Sequence, residues 1–463
     1  MERSEALRKF LERLEDEYAR RFPRSKAHHE RGEAGLLDCT SHAMRSNRPF
    51  MPIARKAEGA VVEDLDGNRC LDYWQGHFVN ILGHNPPLIR EALVESLGEG
   101  RGLQTGMLHE IEAEVAERIC RSTGSETARL TTSGTLGTFF AVVLSRAFTG
   151  RDRVLKVSGG WHGSQPFGLK GVAPQGSSFD HLESEGLSAS TSAEIVLTRF
   201  NDVEDLRDVF DRTGDAIACF LLEPVLGAGG GAVASLDYLR EARRLTAKHG
   251  ALLLCDEIIT AFRFRAGDLT SVYGVRPDLL ILGKVLGGGM PVAAVVGRRD
   301  VMSLSSRRSG RVKFEGGTFS AHELSLVATR TMLEHLERHG EEIYPRLAEA
   351  GERMRRELGE AAERAGVPVH VLGALGDGMP GSSLVLVHAA GVEAPSPTCP
   401  EELAERAHPR IDERLLKSVL MLEGLSTRSG LGAISTAHTA EDLDRTSERF
   451  EAGLRRFKKA GVA

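Results

Sequence analysis

The sequence predicts an α/β fold in which helices cover a large, mostly parallel, seven-stranded sheet that is joined to a smaller α+β unit. Seven short, largely apolar segments recur between residues 128 and 296, with helical stretches between several of them. Alternating strands and helices favour a parallel sheet, and strands that are apolar throughout are typical of a sheet buried on both faces. At 463 residues the chain is too long for one core of ordinary size, so at least two packed units are expected.

The expected elements begin with a charged helix over residues 1–21 and an irregular segment over 32–52. A hairpin follows over 61–72 because Asp66-Gly67-Asn68 separates two β-type runs. Helical periodicity then covers residues 87–119. The seven predicted strands are residues 128–132, 154–157, 194–198, 216–222, 251–255, 279–282 and 293–296. Predicted helices between them cover residues 136–148, 202–212 and 236–249.

The sequence of the C-terminal part predicts two long charged helices, residues 324–339 and 341–365, followed by a strand at 383–388 and a proline-rich loop. Residues 159–192 are rich in Gly and Ser, and so long a loop inside a compact domain is usually functional, often a lid. The predicted division is an N-terminal segment that joins the small domain (1–85), a large domain (86–325) and a C-terminal small domain (326–463).

Composition excludes several classes of protein. The formal charge of −6, from 59 basic and 65 acidic residues, argues against a nucleic-acid-binding protein, which usually carries a basic patch. The longest apolar run, residues 216–222, is far shorter than the ~20 residues of a membrane span. The six cysteines lack metal-type or disulfide-type spacing, so we expect no metal site and a reducing compartment, most simply the cytoplasm.

A candidate phosphate site lies at Ser133-Gly134-Thr135, between a predicted strand and a predicted helix. The start of a helix offers free backbone N–H groups and a partial positive charge, which suit a phosphate. An ordinary N-cap explains the same residues, since Ser and Thr are preferred there. Both interpretations stay open at this stage.

A pair of carboxylates, Asp256 and Glu257, ends the apolar segment 251–255. In open α/β sheets ligands bind at this edge, so Asp256 could hold a positive charge on a ligand ring nitrogen. A magnesium-binding acid pair of a nucleotide hydrolase is excluded, because that site needs a G-x-x-x-x-G-K-[ST] loop and the sequence has none.

Lys284 follows the predicted strand 279–282 directly, in a turn flanked by glycines. A partly desolvated lysine has a lowered pKa and can form a Schiff base with a carbonyl compound. A lysine that extends to solvent from the strand end is an equally good explanation of the residue alone.

A glycine-rich stretch at residues 227–232 fits the loose G-x-G-x-x-A pattern of dinucleotide-binding proteins. The pattern raises the alternative of a nicotinamide-dependent oxidoreductase, but two features of the sequence weaken it. Glu223-Pro224 interrupts the junction between strand and glycines, and the ribose-binding acid expected ~20 residues later has no strand to sit on.

These motifs stand in a characteristic order along the chain. The stretches are Asp66-Gly67-Asn68, Gly83-His84, Ser133-Gly134-Thr135, Trp161-His162-Gly163, Glu223-Pro224, Asp256-Glu257, Gly283-Lys284, Gly317-Thr318-Phe319-Ser320 and Ala437-His438-Thr439. Together they closely resemble the class III, fold-type I, pyridoxal-phosphate-dependent aminotransferases, and within them the glutamate-1-semialdehyde 2,1-aminomutase branch. The resemblance extends from about residue 57 to the end of the chain.

The resemblance implies a role for each matching residue. Lys284 would hold pyridoxal phosphate as a Schiff base and later move a proton, and Asp256 would pair with the pyridine nitrogen. The other cofactor-binding residues would be Ser133, Gly134 and Thr135 at the phosphate, Trp161 and Ile258 on the two ring faces, and His162 and Glu223 beside the ring. Thr318 would reach the phosphate in a neighbouring subunit, which implies a homodimer with shared active sites.

Departures from the family pattern concentrate on the substrate side. His77 replaces a tryptophan that the family has near the substrate, and the aminomutase's N-terminal Gly-Gly-Val-Asn-Ser-Pro-Val-Arg stretch is absent. Arg45 or Arg48, in the segment that replaces it, could bind a substrate carboxylate. The sequence therefore predicts an aminotransferase acting between an amino acid or amine and an oxo acid, with an aminomutase as the alternative.

Overall fold

The computed structural model describes residues 2–176, 178–376, 378–428 and 430–463. The strands are β1 Ala54–Glu58, β2 Val61–Asp64, β3 Arg69–Asp72, β4 Thr127–Thr131, β5 Arg153–Val157, β6 Ile195–Thr198, β7 Ile217–Leu222, β8 Leu252–Asp256, β9 Leu279–Leu282, β10 Ala293–Gly297, β11 Val369–Leu372, β12 Leu384–Ala389, β13 Leu425–Ser426 and β14 Gly432–Ala433. The right-handed α-helices are Glu2–Arg21, Pro23–Gly32, Pro87–Gly98, Glu110–Thr123, Gly134–Thr149, Ala189–Glu194, Val203–Thr213, Leu236–His249, Arg299–Met302, Glu323–Ala365, Pro400–Arg406, Glu413–Leu422 and Ala440–Lys459.

The seven predicted strands form one seven-stranded sheet in the order β4-β10-β9-β8-β7-β5-β6. Four of its six pairings are parallel, and only β10 runs against its neighbours β4 and β9. The predicted fold class is therefore confirmed. Every residue of β7, β8 and β9 is buried, as expected for strands with helices on both faces.

Two smaller sheets use the remaining strands. One has the order β1-β2-β3-β13, and its β13 comes from the C-terminal part of the chain and pairs in parallel with β3. The other has the order β11-β12-β14. The predicted hairpin is present, since β2 and β3 pair antiparallel. The division of the chain after residues 85 and 325 stays a prediction.

A single helix replaces two predicted ones. The sequence favours separate helices over 324–339 and 341–365, but Glu323–Ala365 is continuous over 43 residues, with Pro345 inside it. Buried side chains continue across the expected break, from Leu336 to Ile343 and Leu347. This helix packs on the helices Pro87–Gly98, Glu110–Thr123 and Ala440–Lys459. The separate-helix prediction was wrong because tertiary packing overrides a weak local preference at Gly340.

The long loop at residues 159–192 has two different parts. Most residues up to 171 are buried, whereas most of the described residues from 172 onward are half-buried or exposed. Its role as a lid stays a prediction. Among the described residues, none of the helices combines the length and apolar character needed to cross a membrane.

Candidate active site

Most of the predicted site residues line one cavity of about 440 Å³ at the carboxyl edge of the large sheet, here called the sheet-edge cavity. Its predicted members are Ser133, Gly134, Thr135, Trp161, His162, Glu223, Asp256, Ile258, Lys284 and Arg45. The sheet brings most of them together because β4, β5, β7, β8 and β9 run in the same direction and these residues follow or end those strands. Arg45 reaches the cavity from the N-terminal segment that precedes β1. The cavity also contacts residues that carry little signal in sequence: Val79, Ala228, Ile259, Met290 and Val292.

Ser133 is the N-cap of the helix Gly134–Thr149, and its Oγ accepts a hydrogen bond of 3.3 Å from the backbone N–H of Leu136. The N-cap interpretation is therefore confirmed, and the capped helix end also lines the cavity. The phosphate site stays a prediction. A helix N-terminus attracts anions. A Cβ at residue 134 would displace the Ile258 side chain, since it would lie 2.0 Å from Ile258 Cδ1.

Asp256 ends β8 and is a buried residue of the cavity wall. Its Oδ1 accepts a hydrogen bond of 3.2 Å from the backbone N–H of Ile258, and its Oδ2 lies 2.9 Å from His162 Nδ1. Burial raises the pKa of Asp256 to about 7, although the charge of Lys284 opposes the shift. The raised pKa means that the charged form of Asp256 is only weakly stabilised, and neither of its hydrogen-bond partners, the Ile258 N–H and the His162 ring, is a Lys or Arg side chain.

His162 orients Asp256. Burial lowers the pKa of His162 to about 3, so the imidazole is neutral and its Nδ1–H donates to the carboxylate. Its Nε2 is then an acceptor, and this buried atom has no hydrogen-bond partner among the described residues. The carbonyl of His162 accepts a bond of 2.6 Å from Thr138 Oγ1, which fixes the backbone at this point.

Glu223 follows β7 and is buried. Its Oε1 accepts a hydrogen bond of 2.8 Å from the backbone N–H of Trp161, and its Oε2 accepts one of 3.1 Å from Gly227. Burial raises the pKa of Glu223 to about 6. The carboxylate thus anchors the backbone that carries the partly exposed Trp161 indole.

Lys284 follows β9 with a φ of +50°, a left-handed conformation that is uncommon for a residue with a side chain. Burial lowers the pKa of Lys284 to about 8, and the nearby carboxylates Glu223 and Asp256 limit the shift. The ammonium nitrogen lies 5.9 Å from the centroid of the Phe78 ring. At neutral pH about a tenth of such an amine is uncharged and able to act as a nucleophile.

A left-handed helical turn, which was not predicted, borders the cavity. Gln75, Gly76, His77 and Phe78 all have φ between +50° and +67°. Each non-glycine residue in this conformation costs roughly 1–2 kcal/mol. The turn places the Phe78 ring beside Lys284 and puts Gly76 in the cavity wall. Backbone strain of this kind collects at functional sites.

A second cavity of about 550 Å³, here called the N-terminal cavity, shares Arg45 and Gly76 with the sheet-edge cavity. His77 lines it, with its ring centroid 4.7 Å from that of His42 and 4.8 Å from that of Trp74. Burial lowers the pKa of His77 to about 3, so this imidazole is uncharged at neutral pH.

Two predicted residues lie outside both cavities. Arg48 is exposed, and its backbone carbonyl accepts a hydrogen bond of 2.5 Å from Ser418 Oγ. Thr318 is also exposed, and its carbonyl accepts a bond of 3.0 Å from Gln104 Nε2. Neither residue contacts the cavity of its own chain.

The glycine-rich stretch at residues 227–232 has a packing role. A Cβ at Gly230 would lie 2.1 Å from Leu403 Cδ2, and one at Gly231 would lie 2.4 Å from Leu386 Cδ1. His388 Nε2–H donates a hydrogen bond of 2.9 Å to the Gly230 carbonyl. These glycines let the loop approach the C-terminal part of the chain, which leaves the dinucleotide alternative without support.

Comparisons with known proteins show the family of this chain. A family model described as aminotransferase class-III matches residues 42–378. A Desulforudis audaxviator protein named glutamate-1-semialdehyde 2,1-aminomutase is 35% identical over 403 residues, 86% of this chain and 89% of that protein. The crystal structure of an ω-transaminase from Sphaerobacter thermophilus is 27% identical with a TM-score of 0.83, covering 94% and 98% of the two chains. A β-phenylalanine aminotransferase from Variovorax paradoxus is 26% identical with a TM-score of 0.83, covering 98% of each chain.

Proposed function

Because the chain belongs to the class-III aminotransferase family and is a pyridoxal-phosphate-dependent enzyme, we propose that the sheet-edge cavity holds this cofactor through Ser133, Asp256 and Lys284. The enzyme transfers an amino group between an amino acid or amine and an oxo acid. The observation that carries the assignment of the site is the convergence of a capped helix end, a buried carboxyl and a desolvated lysine in one cavity.

The residues present suit the three polar parts of pyridoxal phosphate. The helix end at Ser133 suits the phosphate, Asp256 suits a protonated pyridine nitrogen, and Lys284 suits the aldehyde. Asp256 has a raised pKa and only neutral hydrogen-bond partners, so a cationic ring nitrogen would supply the charge that this carboxylate lacks. When bound, the cofactor supplies a carbonyl that condenses with amines and a ring that withdraws electrons from the adjacent carbon.

Lys284 performs the proton transfers in this proposal. With its pKa near 8, its Nζ accepts a proton from the substrate carbon at neutral pH and returns it at the end of the half-reaction. Desolvation of Lys284 in the cavity wall lowers its pKa and so keeps the amine partly uncharged. Neutral His162 holds Asp256 by one oxygen without competing for its charge.

We place the substrate where the sheet-edge and N-terminal cavities meet. Arg45 lines both cavities and offers a guanidinium to a substrate carboxylate. His77 lines the N-terminal cavity as an uncharged ring. Arg48, the other arginine of this segment, lines neither, so Arg45 is the better candidate.

We propose a homodimer in which Thr318 contributes to the partner's site. Thr318 is exposed on its own chain and is bonded to the segment that contains Gln104. Beside Gln104 stand Leu103, Met107 and Leu108, which are 74%, 77% and 90% exposed. Such apolar exposure marks an interaction surface. A second copy of this chain is the occupant that would also complete the active site, and sedimentation velocity of the holoenzyme tests it.

We propose a reducing, cytoplasmic location for the enzyme. All six cysteines are free thiols, and three of them, Cys219, Cys255 and Cys399, are buried. Free buried thiols are typical of reducing compartments. Fractionation of cells that express the tagged chain tests this location.

Product analysis separates amino transfer from its alternative. The curated relatives named glutamate-1-semialdehyde 2,1-aminomutase favour intramolecular transfer as the second candidate. The purified enzyme is incubated with a panel of amino donors and an oxo acid, and separately with each donor alone. A new amino acid formed from the oxo acid supports the proposal, whereas isomerisation of one compound without an acceptor supports the mutase. If the enzyme binds the cofactor but forms neither product, both candidate functions are contradicted.

A further inference from the structure

Lys156 is a fully buried lysine in the interior of the large sheet. It lies in β5, between β6 and β7, and its exposure is 0%. Val154 and Val157 of the same strand are equally buried. Lysine is almost never fully buried unless its charge is satisfied, so this side chain needs a specific explanation.

The ammonium of Lys156 bonds to three backbone carbonyls. Its Nζ donates to Gly160 at 2.9 Å, to Gly168 at 3.1 Å and to Lys170 at 2.7 Å. An ammonium group has three N–H donors, so each donor is used. The three carbonyls lie in the loop of residues 159–171, whose ends are joined by the hydrogen bond from the Gly159 N–H to the Gly171 carbonyl. Gly160 lies where the chain leaves β5, here called the outgoing arm, and Gly168 and Lys170 lie where it comes back, here called the returning arm.

The outgoing arm carries the residues that contact the sheet-edge cavity. Directly after Gly160, the Trp161 N–H bonds to Glu223 at 2.8 Å, and His162 bonds to Asp256 at 2.9 Å. Gly163, the next residue, packs against the predicted phosphate motif Ser133-Gly134-Thr135, since a Cβ at Gly163 would lie 2.4 Å from Thr135 Oγ1. The carbonyl that Lys156 holds therefore immediately precedes three successive site contacts.

We propose that Lys156 is a positioning residue of the cofactor site. By joining the carbonyls of Gly160, Gly168 and Lys170, it fixes the backbone of residues 160–170, so that the indole and imidazole of the outgoing arm keep their places beside the cofactor. This inference rests on the proposed binding of pyridoxal phosphate in the sheet-edge cavity. A backbone fixed in this way would limit any lid movement to the part of the loop after Gly171. Gly171 is itself held at both polar groups, since its N–H donates to the His181 carbonyl and its carbonyl accepts from the Gly159 N–H.

The test replaces Lys156 with methionine, which has similar length but no donor. Lys170→Met is the matched control, because Lys170 is a buried lysine of the same loop whose Nζ contacts Ser192, Ile195 and Asp180 rather than the cavity. The substitution leaves the backbone carbonyl of residue 170, which accepts from Lys156, in place. Both variants are purified, freed of cofactor and titrated with pyridoxal phosphate. The readouts are the dissociation constant and the quenching of Trp161 fluorescence by bound cofactor, measured in a Trp74→Phe background because the chain has 2 tryptophans.

We expect Lys156→Met to weaken cofactor binding by at least about tenfold, the effect of losing roughly 1.4 kcal/mol, and to reduce the Trp161 quenching at saturation. Lys170→Met should stay within about twofold of the parent on both readouts. If Lys156→Met does not fold, as judged by circular dichroism, Lys156→Gln replaces it. Glutamine retains an N–H₂ group, so it should give a smaller change in the same direction.

Unchanged affinity and unchanged quenching in a folded Lys156 variant would overturn the inference. So would equal losses in the Lys156 and Lys170 variants, since these would indicate a general effect on the loop. Failure of the proposed function is distinguishable, because the parent protein itself would then show no saturable binding of pyridoxal phosphate.

Discussion

Replacing Asp256 with asparagine is expected to stabilise the cofactor-free protein while weakening cofactor binding. Burial raises the pKa of Asp256 from 3.8 to about 7. A carboxyl whose pKa is higher in the folded than in the unfolded state favours folding fully below pH 3.8 and loses that contribution as the pH rises through 7. Ionised Asp256 therefore destabilises the cofactor-free protein at pH 8, and asparagine removes this charge.

The expected gain in the free energy of unfolding follows from the pKa shift of Asp256 and from the hydrogen bond that asparagine cannot keep. A rise from 3.8 to about 7 corresponds to roughly 4 kcal/mol at about 1.36 kcal/mol per unit, as an upper bound. Asp256 accepts from Ile258 at 3.2 Å and from His162 at 2.9 Å, and asparagine can accept from only one of them. That loss costs about 1 kcal/mol. We expect a net gain of about 1–3 kcal/mol at pH 8, which shrinks as the pH falls toward 4.

Thermal unfolding of the cofactor-free parent and of Asp256→Asn measures this effect. At about 1 °C per kcal/mol for a chain of this length, the variant should melt roughly 1–3 °C higher at pH 8, with a smaller difference at pH 5. Pyridoxal phosphate should reverse the order, because it stabilises the parent more than the variant. A variant that melts below the parent at pH 8, or a difference that does not depend on pH, would refute the reasoning.

Two further substitutions test other walls of the site. Gly163→Ala should weaken pyridoxal phosphate binding by at least about tenfold, because the new Cβ would lie 2.4 Å from Thr135 Oγ1. The control is Gly176→Ala, since Gly176 also has a positive φ but a Cβ there would have no atom within 4 Å. If both variants bind the cofactor equally, the close approach has no role. Arg45→Ala should raise the KM for a carboxylate-bearing donor by about tenfold or more, the value of one charge-assisted hydrogen bond, whereas Arg48→Ala should not. Equal steady-state KM values for the two arginine variants would contradict the placement of the substrate.

The sequence predicts the large sheet well because its strands are short and largely apolar segments. Asp256 and Lys284 could be assigned to the same edge for a related reason, since residues that end parallel strands meet there. Ser133 carries a local signal of its own as an N-cap. In each case a short stretch of chain contains the information that determines the position of the side chain.

Other features depend on contacts between distant segments and were not predictable in this way. The left-handed turn at Gln75–Phe78 contains only one glycine, so its sequence does not indicate the strain. Lys156 is an isolated lysine in an apolar strand, and its partners come from a loop whose course the sequence does not reveal. The N-terminal cavity joins the start of the chain to Met421 and Gly424. Tertiary packing likewise carries the helix Glu323–Ala365 through Pro345.

The absorbance spectrum of the purified holoenzyme tests the central assignment most directly. If Lys284 binds pyridoxal phosphate covalently, the protein should show a band at ~420 nm that shifts when an accepted amino donor is added. Lys284→Ala should keep its fold and lose both the covalent attachment, as measured by borohydride reduction and mass spectrometry, and amino transfer. A variant that still attaches the cofactor and turns over the donor would show that Lys284 is not the catalytic lysine.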